Sequence, residues 1–249
     1  ARASAMLVPV PQCQLLTPAL IAGFPALEAL TVLACSRKGE VGLTVTEAAG
    51  GLDVLIDTDK PLTPQLRVAL AALANQYGLS RLTWHDDTVV TITQPAQDFG
   101  GTDVVPPPGA FLQATKAGEA ALRDAVKEIT GDAPRVIDLF AGCGTFALPL
   151  AKRAEVHAVE GDKPMLDAVD LGGRSGHELR RVTTDTRDLF RRPLEPDELH
   201  GYDAAVIDPP RAGAEAQIAT LAASGINTIA MVSCNPVTFA RDAQPLINA

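Results

Sequence analysis

From residue 111 to the end of the chain, short apolar runs alternate with segments that have the spacing of helices. Strands are predicted at residues 136–140, 156–160, 181–184, 204–207 and 226–233, and most of them are largely apolar. Helical patterns lie at residues 115–130, 163–171 and 214–223, and a further helix ends at residue 153. Strands that alternate with helices in this way predict a doubly wound parallel sheet of the α/β class, with a ligand at the carboxyl ends of the strands.

The first part of the chain has a different pattern. Pro106-Pro107-Pro108-Gly109 separates the two parts, because consecutive prolines continue neither a helix nor a hydrogen-bonded strand. Before this segment, strands are predicted at residues 30–35, 41–47, 52–57, 82–85 and 89–93, with a helix at 63–77. We therefore expect a small α+β domain at residues 1–105, which indicates no chemistry, and the doubly wound domain at residues 106–249.

The charge balance argues against a nucleic-acid partner. The formal net charge is −9 and the sequence pI is about 4.9, whereas binding to phosphates needs clustered Lys and Arg. Two local basic runs, Arg180-Arg181 and residues 187–192, weaken this argument, although a solvated surface is the simpler explanation of both.

Cysteine usage and hydropathy favour a cytoplasmic protein. The four cysteines, Cys13, Cys35, Cys143 and Cys234, form no pair with CxxC spacing and suggest no disulfide framework. No apolar stretch reaches the ~20 residues that span a bilayer, so we expect no membrane partner.

A glycine turn follows the first strand of the doubly wound domain, in the segment Asp138-Leu-Phe-Ala-Gly-Cys-Gly-Thr-Phe-Ala147. Gly142 and Gly144 let the backbone approach a ligand closely, and Glu160, at the end of the next strand, can accept hydrogen bonds from both ribose hydroxyls. This pattern fits NAD as well as S-adenosylmethionine, so both remain open. Asp138 favours S-adenosylmethionine, because a carboxylate there suits a cationic methionine group better than a pyrophosphate.

Two further segments follow apolar strands. In Asp208-Pro209-Pro210-Arg211, the prolines make a stiff, extended strand exit, which either holds the flanking side chains over the cleft or only ends the strand. In Ser233-Cys234-Asn235-Pro236, a thiol leaves the strand on the ligand side, which makes Cys234 a candidate nucleophile. Cys143 is the competing candidate, although its place between two glycines indicates a small packing residue.

Taken together, these segments resemble the RNA (uracil-5-)-methyltransferase family. The resemblance covers residue 111 to the end, and its order and spacing are more specific than any one segment. Its segments are Phe111-Leu-Gln113, Asp138-Leu-Phe-Ala-Gly-Cys-Gly144, Asp208-Pro-Pro-Arg211 and Ser233-Cys-Asn-Pro236 with Thr238, Ala240, Arg241 and Asp242. It implies a class I, Rossmann-like methyltransferase domain at residues 106–249, with RNA as the partner.

The resemblance also implies roles for individual residues. The S-adenosylmethionine site would be lined by Gln113, Phe140, Thr145, Glu160 and Asp185. Asp208 would join them beside the target base, in rRNA or tRNA. Cys234 would add to carbon 6 of the uracil, which makes carbon 5 a nucleophile for the methyl group, and Arg211 would offset charge on the enolate oxygen.

Three features depart from the family pattern. The family's proton-abstracting Glu lies well beyond the nucleophile, and Asp242 comes too early to match it, so no base is assigned. Cys13 resembles the last of four ligands of a 4Fe–4S cluster, whose other ligands would precede residue 1. The family's N-terminal β-barrel RNA-binding module has no counterpart here. We therefore expect a family member that lacks both ends.

Two alternatives remain at this stage, an NAD-dependent oxidoreductase and a non-catalytic RNA-binding module. The first leaves Cys234 and the Asp208–Arg211 segment without a role. No protein partner can be inferred. The methyltransferase interpretation requires that the sulfur of Cys234 and the turn at residues 142–144 open into one shared cleft.

Overall fold

The computed structural model describes residues 13–36 and 39–248. The chain divides into two compact units, Ala1–Ala96 and Gln97–Ala249. This division falls before the expected boundary between residues 105 and 106. Residues 97–105 belong with the second unit because Phe99 and Val104 lie in its buried core.

The first unit, in its described residues, combines helices with a four-stranded sheet. Its elements are α1 Pro18–Ala22, α2 Phe24–Ala34, β1 Val41–Ala48, β2 Gly51–Thr58, α3 Pro64–Gln76, β3 Arg81–Trp84 and β4 Asp87–Thr91. The strand order is β1-β2-β3-β4, with β2 and β3 parallel and the two outer pairs antiparallel. Leu30 of α2 and Leu70 of α3 share one core with Val54 and Ile56 of β2. This is the small α+β arrangement that the sequence indicates.

The strand predicted at residues 30–35 is wrong, because residues 30–34 belong to helix α2. Ala26, Leu30 and Ala34 are the buried residues of α2, and their spacing of four places them on one face of a helix. A short apolar run that contains Thr31 and Val32 reads equally well as a strand when its neighbours are ignored.

The second unit is a parallel sheet with helices on both faces. Its elements are β5 Gln97–Asp98, β6 Asp103–Val104, α4 Lys116–Thr130, β7 Arg135–Leu139, α5 Ala147–Ala151, β8 Glu155–Glu160, α6 Lys163–Ser175, β9 Val182–Thr186, α7 Pro196–Leu199, β10 Ala204–Ile207, α8 Glu215–Ala223, β11 Ile229–Met231 and α9 Pro236–Ile247. The order of the main sheet is β11-β10-β7-β8-β9, and every neighbouring pair is parallel. The predicted doubly wound sheet is confirmed.

Two separate cores cover the faces of this sheet. One face packs against α4, α5 and α6 through residues such as Val126, Leu148 and Leu166. The other packs against the α7–α8 region through residues such as Leu199 and Ile218. None of the helices within residues 13–36 and 39–248 combines the length and hydropathy needed to cross a lipid bilayer.

The strand order reverses at β7, and this reversal locates the ligand crevice. The chain goes from β7 to β8 and β9 on one side, and then returns to β10 and β11 on the other. In doubly wound sheets, ligands bind at the carboxyl ends of the strands that flank such a reversal. The ends of β7 and β10 are Leu139 and Ile207, directly before the glycine turn and Asp208.

Candidate functional site

The glycine turn after β7 has a positive φ angle at three positions, which is unfavourable for Phe140 and is readily adopted by the two glycines. Phe140, Gly142 and Gly144 have φ angles of 60°, 54° and 89°. A Cβ atom on Gly142 would meet nothing within 4 Å, whereas one on Gly144 would lie 3.1 Å from Leu148 and 3.2 Å from Val169. Gly142 therefore leaves room for a ligand, and Gly144 allows close packing of the helices behind the turn. The predicted residue Thr145 follows, half-buried.

Asp138 is a buried carboxylate beside this turn. It is 0% exposed, and neither of its oxygens has a partner at normal hydrogen-bond geometry. Burial raises its pKa well above the usual range, and the carboxylates of Asp208 and Glu160 raise it further, while the backbone N–H of Ala147 opposes the rise. Such a group is stabilised by a cation, so the site fits the positively charged methionine end of S-adenosylmethionine.

Glu160 ties the end of β8 to the glycine turn. Its Oε2 accepts a hydrogen bond from the amide of Gly142 at 3.0 Å, and its Oε1 accepts from the amides of Gly161 at 2.6 Å and Asp162 at 3.1 Å. A carboxylate has about four lone-pair sites, so capacity remains for a ribose hydroxyl. The same side chain can therefore shape the turn and hold a nucleoside.

Asp185 lies in β9, paired in register with Val159 of β8, and is half-buried. Its Oδ2 lies 4.0 Å from Nη1 of Arg187, and Arg187 donates hydrogen bonds to both carboxylate oxygens of Glu198, at 2.7 and 3.1 Å. This pairing restrains the segment that follows β9. The carboxyl end of β9 borders the site, as do the carboxyl ends of β7 and β8.

Phe190 is an aromatic residue that sequence reasoning missed. Its ring centroid lies 5.3 Å from that of Phe140, with the planes tilted by 56°, and its side chain is 51% exposed. The signal was weak because Phe190 lies in an irregular basic segment, after the end of β9. The two rings form an apolar wall beside the glycine turn.

Asp208 follows β10 and lies beside the turn in the neighbouring strand. Its amide donates to the carbonyl of Leu139 at 3.3 Å, and its Oδ2 accepts a hydrogen bond from Nε2 of Gln113 at 3.3 Å. Burial raises the pKa of Asp208 to about 6. The structure thus brings together Gln113, Asp138 and Asp208, three residues predicted from separate segments.

The two candidate nucleophiles have opposite environments. Cys234, directly after Ser233 at the exit of β11, is exposed, whereas Cys143 is buried. Burial, together with the negative charges of Asp162 and Glu160, raises the pKa of Cys143 to about 12. Since a thiolate is the reactive form, Cys143 is unsuited to be the nucleophile and Cys234 remains available.

Cys234 lines a mostly apolar cavity of about 450 Å³ between α4, β11 and α9, with Ile129 and Phe239 among its walls. No residue of the glycine turn lines this cavity. The expected shared cleft is therefore not the cavity that Cys234 lines. The thiol and the turn do follow parallel strands of one sheet, with β10 between them.

The Cys234 segment is nevertheless joined to the segment after β10. The carbonyl of Arg211 accepts a hydrogen bond from Nδ2 of Asn235 at 3.0 Å and another from Oγ1 of Thr238 at 3.2 Å. Arg211 itself is exposed. These contacts place the two predicted catalytic segments side by side, at the ends of adjacent strands.

The described residues provide no further ligands for the cluster that Cys13 is predicted to bind. Cys13 is half-buried, and the described residues contain no group of three or more His, Cys, Asp and Glu residues placed to hold a metal ion. A 4Fe–4S cluster, with its other ligands before residue 1, stays a prediction.

Comparison with known proteins gives one family. The sequence model described as tRNA (uracil-5-)-methyltransferase matches residues 108–249. An uncharacterized RNA methyltransferase of Rhizobium meliloti (strain 1021) is 44% identical over 243 residues, which is 98% of this chain and 59% of the relative. The 23S rRNA (uracil(1939)-C(5))-methyltransferase of Pseudomonas fluorescens is 41% identical over 147 residues, 56% of this chain and 31% of that protein.

The fold has a counterpart among solved structures. The crystal structure of Pyrococcus abyssi tRNA (uracil-54, C5)-methyltransferase, in complex with S-adenosyl-L-homocysteine, aligns with a TM-score of 0.72 and 18% identity, over 97% of this chain and 63% of that one. The chain thus spans about three fifths of the length of the Rhizobium meliloti relative and of this solved structure. The resemblance seen in the sequence is confirmed, and the chain belongs to the tRNA (uracil-5-)-methyltransferase family.

Proposed function

We propose that the protein transfers a methyl group from S-adenosylmethionine to carbon 5 of a uridine in rRNA or tRNA, with Cys234 as the nucleophile. One observation carries the proposal. The exposed thiol of Cys234 leaves the sheet next to the Asp208–Arg211 segment, and Asn235 and Thr238 bond these two segments together.

The residues around the glycine turn supply the features that the cofactor needs. S-Adenosylmethionine supplies an electrophilic methyl group when bound. The unpartnered Asp138 carboxylate offsets positive charge, the open space at Gly142 admits the ligand to the backbone, and Glu160 has capacity for a ribose hydroxyl. Asp185 and the ring of Phe140 border the nucleoside, and Thr145 and Gly144 shape the turn.

Cys234 makes and later breaks the covalent bond to the substrate. Its thiolate adds to carbon 6 of the uracil, and the π electrons of the ring move to carbon 5 and the neighbouring carbonyl oxygen, giving an enolate. Arg211 offsets this charge, and Asp208, with Gln113 behind it, borders the target base. Carbon 5 takes the methyl group, whose bond to sulfur breaks, and S-adenosylhomocysteine is left as the product. Removal of the proton from carbon 5 restores the double bond and expels the thiolate. We assign no residue of this chain as the base for that step.

The alternatives fit less well. A role in nicotinamide chemistry would use the glycine turn and Glu160, but it would leave Cys234 and the Asp208–Arg211 segment without a function. A purely RNA-binding module would require neither an exposed thiol nor an unpartnered buried carboxylate.

The free thiols of Cys13, Cys35, Cys143 and Cys234 suit a reducing compartment, and we propose a cytoplasmic location.

A trapping experiment tests this proposal. Ribosomal and transfer RNA transcripts that contain 5-fluorouridine are incubated with S-adenosylmethionine and the protein, because fluorine cannot leave carbon 5 as a proton. We expect a covalent RNA–protein adduct with the wild type and with Cys35→Ser, a control in the first unit, and none with Cys234→Ala. Peptide mapping should locate the adduct on Cys234.

Two outcomes would overturn the proposal. An adduct on Cys143, or wild-type adduct formation by Cys234→Ala, would remove Cys234 from the reaction. Calorimetry with S-adenosylhomocysteine and with NADH tests the cofactor, and binding of NADH alone would support the oxidoreductase instead.

A further inference from the structure

Side chains at the start of helix α9 and along it form hydrogen bonds with the backbone of the segment that follows Asp208. Beyond the two bonds to the carbonyl of Arg211, the carbonyl of Ala212 accepts a hydrogen bond from Nη2 of Arg241 at 3.0 Å. The amide of Ala214 donates to Oδ2 of Asp242 at 2.8 Å. Three residues of the 211–214 segment, Arg211, Ala212 and Ala214, are thus hydrogen-bonded through their backbone to side chains from Asn235 onward.

Asp242 is the buried member of this set. It is 1% exposed, and both of its carboxylate oxygens are used, since Oδ2 accepts from Ala214 and Oδ1 accepts from Nε of Arg241 at 2.6 Å. A buried carboxylate that receives a backbone amide and a guanidinium makes charge-assisted hydrogen bonds, which are stronger than neutral ones. Asp242 therefore fixes the register between α9 and residue 214.

Gly213, in the 211–214 segment, lies directly against the side chains of Arg241 and Asp242. Its φ angle is 79°, and a Cβ atom there would overlap Nη2 of Arg241 and Oδ2 of Asp242. Only glycine permits both the backbone conformation and this close approach. The 211–214 segment and helix α9 therefore approach each other closely at Gly213.

We propose that Asp242 is a positioning residue. It holds the Asp208–Ala214 segment and the Cys234 segment at a set distance from each other, so that the target uracil and the thiol of Cys234 are placed to react. This inference rests on the proposed function. Strands β10 and β11 pair over only three residues, which end at Ile207 and Met231, so the sheet does not by itself set the geometry of the segments beyond them.

The energetic reason is the sensitivity of a covalent step to distance. Reacting atoms must approach to about 3–3.5 Å, and a misplacement of about 1 Å can lower a rate on the order of a hundredfold. Cys234 and Asp208 belong to separate segments, and the bonds between residues 211–214 and α9 join those segments beyond the sheet. Loss of the Asp242 contact should therefore slow bond formation while the cofactor site, built on β7 and β8, stays intact.

Two variants test the proposal from opposite sides. Asp242→Asn keeps the volume but replaces one acceptor oxygen with a donor, so either Ala214 or Arg241 faces a second donor. Gly213→Ala leaves Asp242 in place and pushes against it. Gln244→Ala, at an exposed position of the same helix, is the matched control. For each full chain, we would measure the rate of adduct formation with 5-fluorouridine RNA, S-adenosylhomocysteine affinity, and amide hydrogen exchange at residues 208–214 and 233–236.

We expect Asp242→Asn and Gly213→Ala to slow adduct formation on the order of tenfold to a hundredfold, with S-adenosylhomocysteine affinity unchanged. Amide exchange should become faster in both segments, and Gln244→Ala should match the wild type. An Asp242→Asn protein that forms adduct at the wild-type rate would overturn the proposal, as would an equal loss of cofactor affinity, which would mean general destabilisation. Should the wild type form no adduct, the proposed function fails. Exchange that Asp242→Asn leaves unchanged would independently show that Asp242 does not hold the segment.

Discussion

Nε2 of Gln113 donates a hydrogen bond to Oδ2 of Asp208 over 3.3 Å, and so joins the segment before α4 to the end of β10. The two residues lie 95 positions apart in the chain. Asp208 is a largely buried carboxylate with a raised pKa, so a neutral donor at this point stabilises its ionised form. Gln113 is therefore placed to favour the ionised form of Asp208, the residue that the proposed reaction puts beside the target uracil.

Substitution of Gln113 should change the pKa of Asp208. Gln113→Ala removes the donor, and Gln113→Glu adds a second negative charge, so both should raise the pKa of Asp208 above about 6, with the larger rise for Gln113→Glu. Carbon-13 NMR titration of the Asp208 carboxyl group measures this directly. Identical titration curves for the wild type and Gln113→Glu would mean that the two side chains do not interact in solution.

Asp208→Asn should stabilise the fold while it abolishes activity. The pKa of Asp208 is about 6 in the folded protein and near 3.8 in the unfolded chain, so the folded state holds the proton more tightly. The resulting stabilisation is complete below pH 4 and is lost as the pH rises through 6. At pH 7 the variant avoids a buried charge and should gain about 1–3 kcal/mol in the free energy of unfolding.

Urea unfolding at pH 4 and pH 7 provides the measurement for Asp208→Asn. The gain in the free energy of unfolding should be present at pH 7 and should shrink at pH 4. A variant that is less stable than the wild type at pH 7 would show that ionised Asp208 has favourable partners that offset its burial.

The two glycines of the turn should respond differently to substitution by alanine. Gly144→Ala forces a Cβ against Leu148 and Val169 at a φ of 89°, and should lower the free energy of unfolding by about 1–3 kcal/mol. Gly142→Ala has free space, so it should cost only the backbone strain of about 1 kcal/mol, yet it should weaken S-adenosylhomocysteine binding because its Cβ enters the ligand's space.

Urea unfolding and calorimetry on both glycine variants separate these effects. Cofactor affinity that stays at the wild-type value in Gly142→Ala would place the ligand away from the turn.

Glu160→Ala should weaken S-adenosylhomocysteine binding on the order of tenfold without unfolding the protein, since it removes one charge-assisted hydrogen bond to the ribose. The amides of Gly142, Gly161 and Asp162 also lose their acceptor, so a moderate fall in melting temperature should accompany it. Glu155→Ala, at the exposed opposite end of β8, is the matched control. Equal affinities in the two variants would mean that the ribose is held elsewhere.

Much of the second unit could be predicted from the sequence, because most strands of its main sheet are largely apolar and lie between polar turns. The strand at residues 204–207 matches β10 residue for residue, and those at 136–140 and 156–160 differ from β7 and β8 by one residue or less at each end. The prediction failed at α2, where a short apolar run with β-branched residues fits a helix or a strand equally well. Helix α9 was not predicted, although Asn235 caps it by accepting from the amide of Val237.

The sequence by itself determined the alternation of strands and helices, the order of the four signature segments and therefore the family, since local patterns and spacing carry that information. Only the tertiary structure decided that Cys143 is buried while Cys234 is exposed, that the carboxylate oxygens of buried Asp138 have no partner at normal hydrogen-bond geometry, and that Asp242 bonds Ala214. Burial and long-range hydrogen bonds depend on how distant segments pack once the sheet has formed. No local pattern of residues specifies that packing.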